Sequence, residues 1–237
     1  MDFRKAILIL TIFAGLFLFS CTDNSDSDLE FSLAPNGITI TCPGVAPGES
    51  AKVNGVRYEA VDNDLLRARI GEGADLSKLC TSSVTNMESL FQDASTFNQD
   101  IGSWDTGNVT TMRELFSGAS NFNQDISEWD IGSVTTLLRT FFNAHSFNQD
   151  IGGWNTGEVI RMNQMFLDAR TFNKPIGRWN TSNVLGMESM FLDAVAFNQD
   201  LSGWCVEIIA GKPDFFDLRA SSWTLPRPNW GASCELE

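Results

Sequence analysis

Phe97-Asn98-Gln99-Asp100-Ile101-Gly102-Ser103-Trp104-Asp105-Thr106-Gly107-Asn108-Val109-Thr110-Thr111-Met112-Arg113-Glu114-Leu115-Phe116-Ser117-Gly118-Ala119-Ser120-Asn121 is one unit of a sentence written four times, with small edits, between Phe97 and Val195. The Phe-Asn marker returns at Phe122, Phe147, Phe172 and Phe197. A Trp follows each marker at the same offset, at Trp104, Trp129, Trp154, Trp179 and Trp204. A fixed period of roughly 20–50 residues is the signature of a solenoid. One such unit cannot bury its own apolar face, whereas stacked units bury a continuous core.

The unit has two halves. In Val84, Met87, Leu90, Phe91 and Ala94 the apolar positions fall on one helical face. The face returns at Val109, Met112, Leu115, Phe116 and Ala119, and in every later copy. Ser83, Asn108, Ser133 and Asn183 precede the Val and read as N-caps. The Met positions at this spacing read as core. The other half, Phe97 to Ile101 and its copies ending at Ile126, Ile151, Ile176 and Leu201, lacks helical spacing and predicts a short strand. Stacked, these would form a parallel ladder about 4.8 Å apart. Phe, Ile and Trp would point inward, and Asn98, Asn123, Asn148, Asn173 and Asn198 would stack as an amide ladder. The expectation is an α/β repeat solenoid, with a short helix and a short parallel strand in each coil.

The flanks do not fit the repeat. Asn54-Gly55, between Ala51-Lys52-Val53 and Val56-Arg57-Tyr58, is a hairpin signal. Asp62-Asn63-Asp64 offers an N-cap to a short helix through Leu65, Leu66 and Ile70. Residues 36–74 are therefore expected to form a small β-rich N-terminal cap, residues 75–204 the five-coil solenoid, and residues 205–237 a C-terminal cap.

The repeat Phe-Asn-Gln-Asp-Ile-x-x-Trp-Asp-Thr-x-Asn-Val-Thr-x-Met-x-x-x-Phe resembles that of the BspA-like leucine-rich-repeat surface proteins, over about Asp75 to Cys205. Thr41-Cys42-Pro43-Gly44 and Trp230-Gly231-Ala232-Ser233-Cys234 resemble caps on such proteins. The resemblance implies a leucine-rich-repeat-like fold and a role in adhesion or surface interaction, and carries no catalytic residue. Asn173-Lys174-Pro175-Ile176 departs from it, with Lys-Pro in place of Gln-Asp.

At the N-terminus, a charged start (Asp2, Arg4, Lys5) precedes the uncharged run Ala6 to Phe19, the length of a signal-peptide core. It ends Leu18-Phe19-Ser20-Cys21, which resembles a bacterial lipobox. Residues 1–20 then read as a lipoprotein signal peptide and Cys21 as the lipidated residue. The other reading is an ordinary secretory signal with Cys21 incidental. Residues 21–35, with Thr22-Asp23-Asn24-Ser25-Asp26-Ser27-Asp28, read as an acidic tether. Net charge is −14, which argues against nucleic acid, since phosphate binding needs clustered Lys and Arg.

Of five cysteines, Cys21 belongs to the lipobox and four remain for an oxidising compartment. Cys80 and Cys205 occupy the register where inner repeats carry Asp105, Asp130, Asn155 and Asn180, so Cys appears only at the two ends of the array. Three pairings are possible. Solenoid geometry favours Cys42–Cys80 and Cys205–Cys234, because the ends lie far apart. There is no CxxC, and His145 is the only His.

His145 shares a variable position with Ser95, Ser120, Arg170 and Val195, which points to a solvent-facing side chain rather than a catalytic one. No nucleophile motif and no phosphate loop is present, so neither enzymatic activity nor a cofactor is expected. Asp100, Asp125, Asp150 and Asp200 form a carboxylate column whose repulsion must be offset by backbone amides, by Asn and Gln neighbours, or by calcium. Small residues (Gly102, Ser127, Gly152, Gly177, Ser202) run beside it, and a freely varying row (Ser103, Glu128, Gly153, Arg178, Gly203) lies beyond. This strip is the candidate binding face, centred on the break at Lys174 and Arg178. The competing explanation is that the row varies because nothing touches it. The expected protein is a monomeric, extracytoplasmic repeat lipoprotein, anchored at the outer membrane or cell surface, that binds a protein or glycan. A structural envelope component without a specific ligand is the alternative.

Overall fold

The computed structural model describes residues 30–234. The signal-peptide stretch, Cys21 and most of the acidic tether lie outside the described residues. β1 (Ser32–Leu33) pairs antiparallel with β2 (Ile40–Thr41). β3 (Ser50–Val53) and β4 (Val56–Ala60) form an antiparallel hairpin across Asn54-Gly55, where both residues take the positive φ that a tight two-residue turn demands. α1 (Asn63–Gly71) follows, its first turn capped by Asp62, whose carboxylate accepts from Leu65 N. A 3₁₀ turn at Leu76–Lys78 leads into β5 (Leu79–Cys80), which pairs parallel with β4.

From Val84 onward the described residues form no helix and no strand, so the expected helix in each coil is corrected to a run of overlapping turns. Leu90, Gln92, Ala94 and Phe97 each donate to the carbonyl three residues back. Met87, Ser89, Phe91 and Asp93 instead donate to Thr111, Arg113, Leu115 and Ser117 in the next coil, at 2.7–3.1 Å. A helix would spend every interior N–H within itself. The turn path frees alternate N–H groups to join coil to coil. It requires left-handed residues, found at Ser89 and Asp93, then Glu114 and Gly118, Arg139 and Asn143, Gln164 and Asp168, Ser189 and Asp193. The turns advance by about three residues, so their inward positions mimic a helical face in the sequence. The residues read as N-caps have another task. Asn108, Ser133 and Asn183 donate from their side chains to Ser82, Gly107 and Gly157 carbonyls in the preceding coil.

The expected strands at Phe97–Ile101 and its copies are also absent, because side chains take over the ladder. Asn123 N donates to Asn98 Oδ1, and the same bond joins Asn148 to Asn123, Asn173 to Asn148 and Asn198 to Asn173. Gln124 donates its amide to the Asn98 carbonyl. The indole N–H of each of the five repeat Trp residues reaches a carbonyl in the preceding coil: Trp104 to Leu76, Trp129 to Ile101, Trp154 to Ile126, Trp179 to Ile151, Trp204 to Ile176. Isolated parallel bridges link Asn86, Thr111, Thr136, Arg161 and Gly186 from coil to coil.

The core is three aromatic columns. Phe91, Phe116, Phe141, Phe166 and Phe191 stack at 5.5–5.7 Å, and Phe97, Phe122, Phe147, Phe172 and Phe197 at 5.7–6.0 Å. Trp104–Trp129, Trp154–Trp179 and Trp179–Trp204 lie 6.2, 6.5 and 6.2 Å apart. These ring separations exceed the roughly 4.8 Å between neighbouring strands of a β ladder. Val61, Leu66, Leu76 and Leu79 of the N-terminal flank join the same core.

The coil pattern also runs on past residue 204. Ser189, Phe191 and Asp193 donate to the carbonyls of Asp214, Phe216 and Leu218, 25 residues ahead rather than 24. Phe215 and Arg219 take the left-handed conformation, and Phe216, Ala220 and Trp223 are buried on the last full coil. Half a further coil thus lies inside the region read as a C-terminal cap. Its consensus letters are lost and one residue is inserted.

Candidate functional site

The carboxylate column lies on the surface, and each member is held by its own backbone. Asp100, Asp125, Asp150 and Asp200 accept through Oδ1 from the N–H two residues on, at Gly102, Ser127, Gly152 and Ser202, at 2.9–3.0 Å. These are Asx turns. At Asp200 the Ser202 hydroxyl adds a bond, which with the backbone N–H lowers the carboxyl below its ordinary value. Among the described residues no group of three or more His, Cys, Asp or Glu side chains converges as a metal site.

The small residues beside the column serve the stack. A Cβ at Gly102, Gly152 or Gly177 would come within 2.7, 2.3 and 2.4 Å of the carbonyl oxygens of Asp125, Pro175 and Asp200 in the next coil. Coil-to-coil contact therefore demands smallness, although Ser127 and Ser202 show that the column accepts a hydroxymethyl group.

The fourth coil breaks the strip twice. Pro175 replaces the carboxylate, and Lys174 replaces the Gln whose amide elsewhere ties to the preceding coil. A depression of about 510 Å³ sits at this break, between Asp150 and Asp200, with Pro175 on its lining. Gly152, Gly153 and Gly177 open its walls, and Arg178 and Gln199 also face it. The Gln199 amide nitrogen is committed to Asn173. Arg178 makes no side-chain hydrogen bond or ion pair among the described residues. Of the two cations read together from the sequence, Arg178 lines the depression and Lys174 does not. Asp100 and Asp125 lie on the same column, outside it.

The turn face was missed in the sequence. A second depression of about 460 Å³ is lined by Arg113, Glu114, Arg139, Arg161, Gln164 and Glu188, with Leu138 and Asn163. Nearby, His145 Nε2 meets Asp168 Oδ2 at 3.0 Å, and Arg170 grips the same carboxylate. Burial pushes Asp168 up, but the bonds from Arg170 and His145 outweigh it and leave the carboxyl below its ordinary range. Arg219 likewise holds Asp193 low. The available signal was the variation of the Glu88, Arg113, Leu138, Asn163 and Glu188 positions, hidden while this half was read as helix.

Cys42 is joined to Cys80 and Cys205 to Cys234. Each disulfide ties a flank to the adjoining coil, across 38 and 29 residues of chain. No curated protein and no solved structure matches the chain. A family model matches residues 66–166 and again 128–230, most of the described stack. By that match the chain belongs to the family described as Mycoplasma protein of unknown function, DUF285.

Proposed function

We propose that this chain is a surface repeat protein of the BspA-like kind, a solenoid carried on a lipid anchor at Cys21 outside the cytoplasm, which binds a protein or glycan through the strip at its fourth coil. The observation that carries the reading is the depression between Asp150 and Asp200. It combines the carboxylates of Asp150 and Asp200, a guanidinium without a partner among the described residues, an apolar proline surface and bare glycine backbone. Hydroxyl- and amide-rich ligands offer donors for the carboxylates and acceptors for Arg178. Family membership and the two disulfides support an exported surface protein. The reading assigns no catalysis and no cofactor.

The test is a glycan and surface-protein binding screen with the protein, followed by affinity measurements on variants. Asp150→Ala and Arg178→Glu are expected to weaken any specific partner at least tenfold, while Asp125→Ala, on the column but outside the depression, leaves it unchanged. Unchanged affinity in all three, with circular dichroism intact, places the site elsewhere. The second reading, a structural envelope component, is favoured by backbone groups at both ends of the stack, such as Asp217 N–H and the Leu90 carbonyl, that have no partner among the described residues.

A further inference from the structure

Along the turn face the backbone has a direction. Within the overlapping turns, the N–H groups of Ser89, Phe91 and Asp93 and their copies point toward the C-terminal end, to carbonyls of the next coil. Such a row must finish with unpaired donors at one end and unpaired acceptors at the other, unless a flank covers them.

At the C-terminal end it is open. The carbonyls of Asp214, Phe216 and Leu218 accept from the preceding coil, but the N–H groups of Phe215, Asp217 and Arg219 donate to nothing among the described residues. Their side chains do not interfere. Asp217 is held by Lys212 and Arg227, and Arg219 by Asp193. Phe215 and Leu218 stand 62% and 44% exposed beside this edge.

At the N-terminal end α1 covers only part of the row. Asn63 Oδ1 accepts from Thr85 N and Asn86 N, and Arg67 donates to the Glu88 carbonyl. The carbonyls of Leu90 and Gln92 accept nothing among the described residues. Next to them lies a notch of about 530 Å³ lined by Ile70, Leu90, Ala94, Thr96 and Phe97. Phe97 is left half-buried there, whereas Phe122, Phe147, Phe172 and Phe197 in its column are fully buried.

We propose that these two ends fit each other and that the chain associates head to tail with further copies of itself. The register follows from the internal junctions. Phe91 donates to Leu115 and Asp93 to Ser117, positions equivalent to Leu90 and Gln92 one coil earlier. In the junction Asp217 N therefore meets the Leu90 carbonyl of the next copy, and Arg219 N meets the Gln92 carbonyl. Phe215 and Leu218 bring apolar surface to the notch. The Glu88 carbonyl, engaged by Arg67, faces Phe215 N and is the one acceptor of the row already used. A contact between unlike surfaces does not close on itself and propagates as a chain of molecules. The monomer expected from composition is then the dilute limit.

The experiment is sedimentation velocity on the full chain in mild detergent, from the micromolar to the millimolar range. Wild type is expected to gain mass continuously with concentration. A tail variant, Phe215→Glu with Leu218→Lys, and a head variant, Thr96→Arg, change exposed positions and should each remain monomeric. Mixed one to one, they retain one intact head and one intact tail and should form a complex of doubled mass that grows no further. A wild type that stays monomeric throughout overturns the proposal. So do variants that associate as wild type does, or a mixture that does not pair. Phe215→Ser and Thr96→Lys serve as a second pair should either first variant lose its near-ultraviolet circular dichroism.

Discussion

Trp154→Ala tests whether the aromatic columns hold the stack. Trp154 sits in a central coil, 4% exposed, with its ring 6.5 Å from Trp179 and 6.2 Å from Phe141. Its indole N–H donates to the Ile126 carbonyl at 3.1 Å. Truncating a buried large aromatic costs about 3–5 kcal/mol. The Ile126 carbonyl, buried and left unpaired, adds about 1–3 kcal/mol unless water reaches it. Against a total stability of roughly 5–15 kcal/mol this is a large fraction. For a chain of this size the combined loss of about 4–8 kcal/mol corresponds to a fall in melting temperature of roughly 8–32 °C. The assay is thermal and urea unfolding followed by tryptophan fluorescence and circular dichroism. Trp154→Phe separates the two terms, since it keeps a ring and loses the donor. His145→Ala is the comparator: its side chain is 37% exposed and meets Asp168 at the surface. Equal melting temperatures for Trp154→Ala and His145→Ala would refute the reasoning.

Gly152→Ala should destabilise by about 1–3 kcal/mol, because its Cβ would lie 2.3 Å from the Pro175 carbonyl oxygen; urea unfolding that leaves the midpoint in place would show that the coils can part there at no cost. Ser89→Gly should stabilise by up to about 1 kcal/mol, since Ser89 sits at φ 57°, where glycine has no Cβ to strain, and the check is again the urea midpoint. Opening Cys205–Cys234 by a double Ser substitution removes a link across 29 residues and should cost roughly 3–4 kcal/mol, read by melting under non-reducing conditions. The Asp168 carboxyl is held below its ordinary value in the folded state, so its contribution is full above the unfolded pKa and is lost as pH falls through the folded one. Stability should therefore drop below about pH 4, and Asp168→Asn should flatten that part of the profile.

The period, the inward residues and the hairpin were legible because each rests on local chemistry. Phe and Trp at fixed offsets must be buried somewhere, and Asn54-Gly55 suits only one kind of turn. The helix was misread for a definable reason. Val84, Met87, Leu90, Phe91 and Ala94 advance by three or four residues whether the chain makes a helix or a chain of three-residue turns. The residues that decide between them are Ser89, Glu114, Arg139, Gln164 and Ser189, which adopt positive φ yet are not the residue types that announce it. The strand was misread because Asn98 and Trp129 look like occupants of a ladder, whereas their side chains form it. At the candidate site, Pro175 lies on the lining of the depression. What no pattern revealed is that Lys174 falls outside the depression, since that depends on which way coil four turns its backbone.

Side-chain ladders also explain where this protein is free to vary. A β-sheet solenoid holds its coils by backbone bonds and can change any outward side chain. Here Asn, Gln and Trp side chains make the bonds, so the outward Asn-Gln-Asp strip is constrained although it is exposed. The break at Lys174-Pro175 sacrifices one Gln tie and one Asx turn in a single coil, a cost that the neighbouring coils with intact ladders do not bear. The turn face has the opposite economy. Its coils are joined through main-chain N–H and carbonyl groups, and the side chains of Arg113, Leu138, Asn163 and Glu188 differ from coil to coil at no cost to the stack. Under the proposed binding role, recognition that tolerates sequence change would fall on that face, and recognition fixed by geometry at the break in the strip.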